Sequence, residues 1–489
     1  MRYILLTTIT ITLNFSRYVD GTLVSSLGAL GLSSGTQIAL SSNSSNFTQR
    51  WSTYDEPDFI VAIKPVTDHD VAKIVGFAAN SSTPFLTTGG GHGFATTLGR
   101  LQHGIELDMS NFNTVNVDAD ANTMTIGGAA RFRDVLGPLG AARKEIHEAI
   151  GSENCVGMVG STLGGGVGRY NGLHGMILDS LQSVKIVTAA GQIVTASTTK
   201  DSDLFWGIRG AGFNFGTVLE ATYTIYDQTA PQVLNADFLF GPNASLPILQ
   251  FFKSFEQDGL PAKLSFVFLG IYEPALGGSA ILINAVYAGS QEEAMPYIQP
   301  LINLSPTLSN LTMISWSDIN SAALFGIEPA NYTCPAPSSH NVYGSAVSYF
   351  DIPTFQNFYQ DYSSVTSSMA AALNGTVYFI EFFPKQAVLA VQEDATAYPW
   401  RNITAHLLFN FAYTDTTGAI DAKINAFAQQ ARANFTAVNG FPQDEIYVLY
   451  GHGDEDQATL YSAKNLPRLK ALKAQWDPLN VYKYTYPLF

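Results

Sequence analysis

Cysteine is nearly absent: a chain of 489 residues has two, Cys155 and Cys334. That excludes a disulfide scaffold, and a two-cysteine zinc site would need His or carboxylate help that no spacing offers. The spacing leaves open whether the two cysteines pair. Charge is scarce too, at 13% of residues, about half the usual share of roughly 25%. What charge there is leans acidic, with 25 Lys+Arg against 40 Asp+Glu and a net −15. This excludes a nucleic-acid surface, which needs clustered basic residues to displace counterions. Beyond the N-terminus no apolar run is long enough to cross a bilayer. There is no internal repeat, no low-complexity tract, and no Gly-Lys-Ser/Thr ending of a Walker loop.

Apolar residues make up 46% and aromatics 12%, enough for a large core, and the length suits two or three domains. Arg2 precedes an apolar, Thr-interrupted run from Tyr3 to Phe15. It is too short to span a membrane and reads as a signal peptide over residues 1–21, although no Ala-x-Ala marks a cleavage site. The alternative is a buried strand of alternating Ile and Thr. Asn-x-Ser/Thr sequons begin at Asn43, Asn46, Asn80, Asn243, Asn303, Asn310, Asn331, Asn374, Asn402 and Asn434. Together these predict a secreted glycoprotein whose sugars replace the missing surface charge.

Along the chain, residues 22–56 read as a polar N-terminal lead. From 57 to 228 strands and helices alternate, an α+β texture. Strands are predicted at Phe59–Ile63, Pro84–Thr88, Ile105–Met109, Thr123–Ile126 and Val184–Thr188, and a helix over Thr67–Ala79 with Thr67 as N-cap. Residues 229–440 form a second α+β region with strands at Leu264–Ile271 and Ala280–Tyr287 and helices at Gln291–Ile302 and Ile420–Asn434. A last segment, 441–489, carries a predicted helix over Ala458–Leu472.

Three glycine-rich constellations carry chemistry. The first, Thr87-Thr88-Gly89-Gly90-Gly91-His92-Gly93, ends a strand. Successive glycines let backbone amides approach a phosphate or ring with no Cβ in the way, and present His92 to whatever lies there. The second runs from Val156 to Gly168 with six glycines among thirteen residues. Val, Met and Leu interrupt it, which fits a ligand-facing backbone better than a linker. The third is Asp203-Leu-Phe-Trp-Gly-Ile-Arg-Gly-Ala-Gly-Phe-Asn-Phe-Gly-Thr-Val218. A tail motif, Trp476-Asp477-Pro478-Leu479-Asn480-Val481-Tyr482, follows near the C-terminus.

In this order the four motifs resemble the FAD-linked oxidases of the vanillyl-alcohol oxidase superfamily, and the tail narrows the likeness to the berberine bridge enzyme-like branch. The resemblance implies a two-part, PCMH-type FAD-binding domain, an inserted substrate domain, and a C-terminal segment returning to the flavin. It implies that His92 bonds the flavin 8α-methyl, which makes the flavin more oxidising. Thr88, Gly89, Gly90, Gly91 and Gly93, with Val156, Gly157, Gly160, Ser161, Gly164, Gly165, Gly166 and Gly168, would carry the pyrophosphate and ring contacts. Val218 would approach the adenine through its backbone, and Asn480 would reach the flavin pocket. Many relatives bond the flavin a second time through a Cys that aligns with Glu153. One covalent bond is therefore expected, the alternative being a register shift that presents Cys155. Val156 aligns with the small residue that leaves room for oxygen in oxidases of this branch.

The likeness further implies a proton acceptor on the strand after a Pro-x-Arg turn, here Pro399-Trp400-Arg401. The usual Glu or Gln is missing near Phe409 and Asn410. His406, Asn410 and Tyr413 are the candidates, though for each a packing role is the plainer one; Tyr170 and His174 are further possibilities. The expected activity is oxidation of an alcohol or amine carbon of a small secondary metabolite by a monomeric enzyme using O2. Two rivals are a carbohydrate oxidase, disfavoured by the absent Cys at position 153, and a flavoprotein that shapes a polyene for cyclisation without redox turnover.

Overall fold

The computed structural model describes residues 21–41, 46–146, 153–273, 278–327, 337–373, 375–415 and 417–489. The expected signal peptide up to residue 20, Cys334, and the sequon residues Asn43, Asn331 and Asn374 lie outside them. Among the described residues no helix is long and apolar enough to cross a membrane.

Near the N-terminus a four-stranded sheet runs Gln37–Leu40, Phe59–Lys64, Gly104–Asp108, Phe85–Thr88, its last three strands parallel. The helix Asp68–Asn80 makes the crossover from Phe59–Lys64 to Phe85–Thr88. Its N-cap is Thr67, whose hydroxyl accepts the Asp70 N–H at 3.2 Å, and it buries Val71, Ile74, Val75 and Ala78 against Val61, Ile63, Ile105 and Leu107. The Gly89–Gly93 turn thus leaves the carboxyl end of a parallel strand, where open α/β sheets bind ligands. A five-stranded antiparallel sheet follows, in the order Val115–Asp118, Thr123–Gly127, Thr217–Thr224, Leu181–Val187, Ile193–Ser197.

The later region builds one seven-stranded antiparallel sheet: Leu308–Ile314, Val233–Phe240, Gly278–Tyr287, Leu264–Glu273, Val377–Phe382, Ala405–Ala412, His340–Val347. Both faces of its central strands are buried, so they read as unbroken apolar runs. Alternation still sorts the side chains. Phe266, Phe268, Ile380, Phe382, Leu407 and Phe409 pack outward, under helices such as Ile352–Ser368 and Ala419–Thr436, whereas Val267 and Leu269 join the core of the first region.

One sequence expectation fails near the end of the chain. The single tail helix is two, Gln457–Tyr461 and Leu466–Trp476. Ser462 takes φ +63° and Pro467 sits in the first turn of the second helix, so the ladder stops and restarts.

The Pro-x-Arg turn has a structural role. Arg401 forms a two-pronged pair with Asp179, at 3.0 and 2.8 Å, and donates to the Thr396 hydroxyl at 2.9 Å. Both charges are buried, and the pair joins the turn before the strand Ala405–Ala412 to the segment after the glycine run. Arg401→Leu strands the Asp179 carboxylate and should destabilise by about 3–5 kcal/mol. Adding Asp179→Asn should restore part of that loss in denaturant melts. A single variant as stable as the parent would show that the pair holds nothing together.

Candidate active site

A cavity of about 480 Å³ lies where the first region meets the seven-stranded sheet. Its lining comes from three sources. The first is glycine backbone. A Cβ on Gly90 would sit 2.6 Å from the Gly157 nitrogen, and one on Gly128 2.1 Å from the Val218 carbonyl oxygen. Gly91 has φ +74°, and its missing Cβ would meet the Gln49 carbonyl at 2.6 Å. Only glycine permits these approaches. His92 follows the turn, half-buried as a residue, and its Nε2 is shut off from solvent with no hydrogen-bond partner among the described residues. Burial pushes its pKa down to about 4, against the pull of the Glu153 carboxylate, so the ring is neutral at ordinary pH. Arg50 anchors the turn from the N-terminal side, donating to the Gly93 carbonyl at 2.5 Å.

The second source is the inner face of the sheet: Leu269, Val377, Phe379, Leu408, Glu381 and Asn410. The third is the C-terminal segment, which supplies Leu449, Tyr450, Tyr482, Tyr484 and Tyr486. Here lies a pair that sequence reasoning missed. The Tyr450 hydroxyl donates to Glu381 Oε2 at 2.5 Å. Burial raises the Glu381 pKa to about 7, opposed by the Tyr450 hydrogen bond and by Arg169. Burial and the adjoining carboxylate raise Tyr450 well above the usual phenol value. A phenol bonded to a carboxylate that titrates near neutrality can take a proton from a third group while passing its own on. The available signal was a lone carboxylate in the apolar strand Val377–Phe382. That strand pairs directly with Ala405–Ala412, which carries His406 and Asn410, and places Glu381 opposite His406.

Thr88, Gly89, Gly90, Gly91, His92, Gly93, Val156, Gly157, Gly160, Ser161, Val218 and Asn410 line the cavity. Gly164, Gly165, Gly166 and Gly168 do not. A Cβ on Gly164 would strike Leu449 at 2.6 Å and one on Gly166 would strike Ile177 at 2.6 Å, so the second half of the glycine run serves close packing. Asn480 also misses the cavity. It occupies a left-handed turn, φ +50°, organised by Asp477, which accepts the Val481 and Tyr482 N–H groups and the buried Lys473 ammonium. The tail motif therefore acts by placing Tyr482, whose hydroxyl reaches Thr217 and the Val187 carbonyl at 3.1 Å.

Tyr413 faces the helix side of the sheet and donates to Asp421 at 2.7 Å, because its odd position shares the outward face with Leu407 and Phe409. His406 points inward but lines a separate small space with Lys385, Trp400 and Arg401, and burial drives its pKa to about 3. Tyr170 is buried away from the cavity. His174 pairs with Glu145 at 2.7 Å and stacks on Tyr226. Cys155 is disulfide-bonded, so its sulfur is not free to take a flavin. Glu153 lines the cavity and accepts the Cys155 backbone N–H at 2.9 Å.

A glycine-lined cavity, a histidine with a buried ring nitrogen and a buried carboxylate–phenol pair suit a cofactor-dependent redox enzyme. Residues 59–197 match the FAD binding domain family and residues 446–487 the berberine and berberine-like family. The FAD-linked oxidoreductase azaL of Aspergillus niger is 39% identical over 457 residues, covering 92% of this chain and 95% of that protein. Among solved structures, BBE-like 1 of Physcomitrella patens superposes with a TM-score of 0.81 at 21% identity, covering 95% of this chain and 99% of that one. Glucooligosaccharide oxidase from Acremonium strictum, which carries a 6-S-cysteinyl, 8α-N1-histidyl FAD, gives 0.77 at 21% identity over 93% and 96%. The chain belongs to the FAD-linked oxidoreductases of the berberine bridge enzyme-like family. The residues present fit FAD: glycine backbone lines the cavity beside Thr88 and Ser161, and the His92 Nε2 is buried with no hydrogen-bond partner among the described residues.

Gly90→Ala should remove bound flavin, because its methyl meets backbone at 2.6 Å rather than a side chain that can turn away. The ratio of flavin absorbance to protein in the purified variant measures this. A normal ratio would mean that the two glycine segments can part at little cost.

Proposed function

We propose that this protein is a secreted oxidase acting on an alcohol or amine carbon of a small, largely apolar metabolite, with FAD covalently held by His92 and O2 as final acceptor, released as H2O2. In this reading residues 57–228 and 441–489 hold the cofactor and residues 229–440 cover the substrate. The observation that carries it is the Tyr450–Glu381 pair opening onto a cavity whose other sheet-side groups are Leu269, Val377, Phe379, Leu408 and Asn410. FAD, when bound, supplies the hydride acceptor. The chain's own residues supply the proton path: the substrate O–H or N–H proton goes to the Tyr450 oxygen as the Tyr450 proton passes to Glu381. Glu381 must begin ionised, so turnover should rise with pH through about 7.

The apolar wall favours a substrate with one or two polar groups. A sugar would leave many hydroxyls facing Leu and Phe side chains, each unpaired group carrying a desolvation cost. The polyene-shaping alternative drew its support from a missing base, and the Tyr450–Glu381 pair takes that support away. Secretion is favoured by a disulfide at Cys155 and by sequon residues Asn46, Asn80, Asn243, Asn303, Asn310, Asn402 and Asn434, all exposed.

A panel of apolar alcohols, amines and oligosaccharides, scored anaerobically for flavin bleaching and then exposed to air, tests the reading. Bleaching by oligosaccharides alone would overturn the substrate class. With a reactive compound in hand, Tyr450→Phe should lower the bleaching rate by about 10²–10⁴-fold. Glu381→Gln should abolish the rise near pH 7; an unchanged profile would assign that titration elsewhere.

Oxygen access gives a separate prediction. Val156 lines the cavity beside Gly157, and Val156→Ile adds one methylene in a close-packed wall. Stopped-flow traces should show slower reoxidation and little change in reduction. Equal slowing of both would place Val156 on the substrate path instead.

A further inference from the structure

Trp51 lies in the segment that sequence analysis read as a polar lead, and this segment ties the glycine turn to the substrate sheet. The Trp51 N–H donates to the Gly91 carbonyl at 2.9 Å, its carbonyl accepts the Ser338 N–H at 3.3 Å, and Thr53 donates to the Ser338 carbonyl at 2.9 Å. The Ser52 hydroxyl donates to the His340 carbonyl at 2.9 Å. The Trp51 indole stacks with His92, centroids 4.7 Å apart and planes 12° from parallel, and with His340, 3.9 Å and 9°. The His340 ring is fixed by Asn410 at 3.0 Å and Ser338 at 2.7 Å. The stack therefore rests on the strand that carries the cavity residue Asn410. His92 Nε2 has no hydrogen-bond partner among the described residues, so no hydrogen bond at that nitrogen orients the ring, and the Trp51 indole is the face it packs on.

We propose that Trp51 is the positioning residue for covalent flavin attachment, its indole holding the His92 ring in the plane from which a ring nitrogen meets the flavin 8α carbon. This rests on the reading of His92 as the attachment point. In that step the histidine N–H and one 8α C–H bond break and an N–C bond forms. The two electrons and two protons released reduce the flavin ring, and O2 carries them off as H2O2. Burial keeps His92 neutral, so its ring nitrogen has a free lone pair for the bond. Held geometry is a large share of such a rate, since misplacing a reacting group by an ångström can cost on the order of 10²-fold.

The test compares wild type, Trp51→Leu, Trp51→Phe, His340→Ala and His92→Ala. Each purified protein is incubated in air with added FAD. Flavin surviving acid precipitation is followed over time beside total flavin in the native protein. Trp51→Leu should attach flavin at least about tenfold more slowly while still binding it, and Trp51→Phe, which keeps a stacking face, should stay within about threefold of wild type. His340→Ala, which removes the backing ring, should fall between them. Attachment at the wild-type rate in both Trp51→Leu and His340→Ala overturns the proposal and leaves the His92 assignment standing. Where Trp51→Leu does not fold, an unchanged rate in His340→Ala overturns it alone. A wild type that releases all its flavin in acid, as His92→Ala should, overturns the His92 assignment itself.

Discussion

The inner face of the seven-stranded sheet is packed against the first region and keeps most of its side chains out of water, and that constraint governs the site. Every polar side chain there must find a partner or stay neutral. Asp237 meets the rule with Asn235 at 2.8 Å, Asn284 at 2.7 Å and the Leu324 N–H at 2.7 Å. His406 meets it by remaining uncharged. Glu381 meets it with Tyr450, the only one of these arrangements that opens onto the cavity. The Asp237 network serves the same space indirectly. It holds Leu324 at the cavity wall, where Leu324, Phe325 and Gly326 all take positive φ, at 56°, 61° and 69°. Two non-glycine residues in that region are strained, and such strain persists only where neighbours over-determine it.

A cavity between two regions is only as well defined as the joints across it. Three joints of different chemistry converge here: the buried Arg401–Asp179 pair, the Asp477 turn with Lys473 and Tyr482, and the Thr48–Tyr54 segment between the glycine turn and the sheet. Thr48 donates twice to the buried Asp108, at 2.7 and 3.0 Å. Tyr54 donates to Asp421 at 2.8 Å, on the helix that covers the sheet's outer face. The chain therefore fastens both sides of the cavity with a segment whose composition suggested only a polar lead.

What was legible in the sequence was what is local. Thr67 and the helix it caps, the strands of the first region, and the turn from Thr88 to Gly93 follow from neighbouring residues alone, because caps and close backbone approach are short-range demands. The Glu381–Tyr450 pair was not legible, since the two are 69 residues apart and meet only because the register of strand Val377–Phe382 aims Glu381 inward at the turn Val448–Tyr450. The same cause misplaced Tyr413, where alternation sends the ring outward. Asn480 was misjudged for another reason: a tail motif that looks like a ligand set is a turn, and its working residues are Asp477 and Tyr482. In the glycine run, composition alone could not separate Gly157 and Gly160, which face the cavity, from Gly164 and Gly166, which admit Leu449 and Ile177.

The Glu381 carboxyl is what would let a tyrosine serve as the base in the proposed reaction. Alone and buried, Tyr450 would hold its proton far too tightly to exchange it near neutral pH. Shifting a carboxyl from 4.5 to about 7 corresponds to roughly 3 kcal/mol against its ionised form. That cost is what makes the carboxylate a willing acceptor. Fully solvated, it would titrate near 4.5 and leave the phenolic proton in place; unpaired and buried, it would stay protonated at neutral pH. The hydrogen bond from Tyr450 and the charge of Arg169 offset part of the burial and hold the group between those limits. In the proposed reaction the apolar wall that would select the substrate also tunes the base, and any substitution that wets the wall should weaken both together.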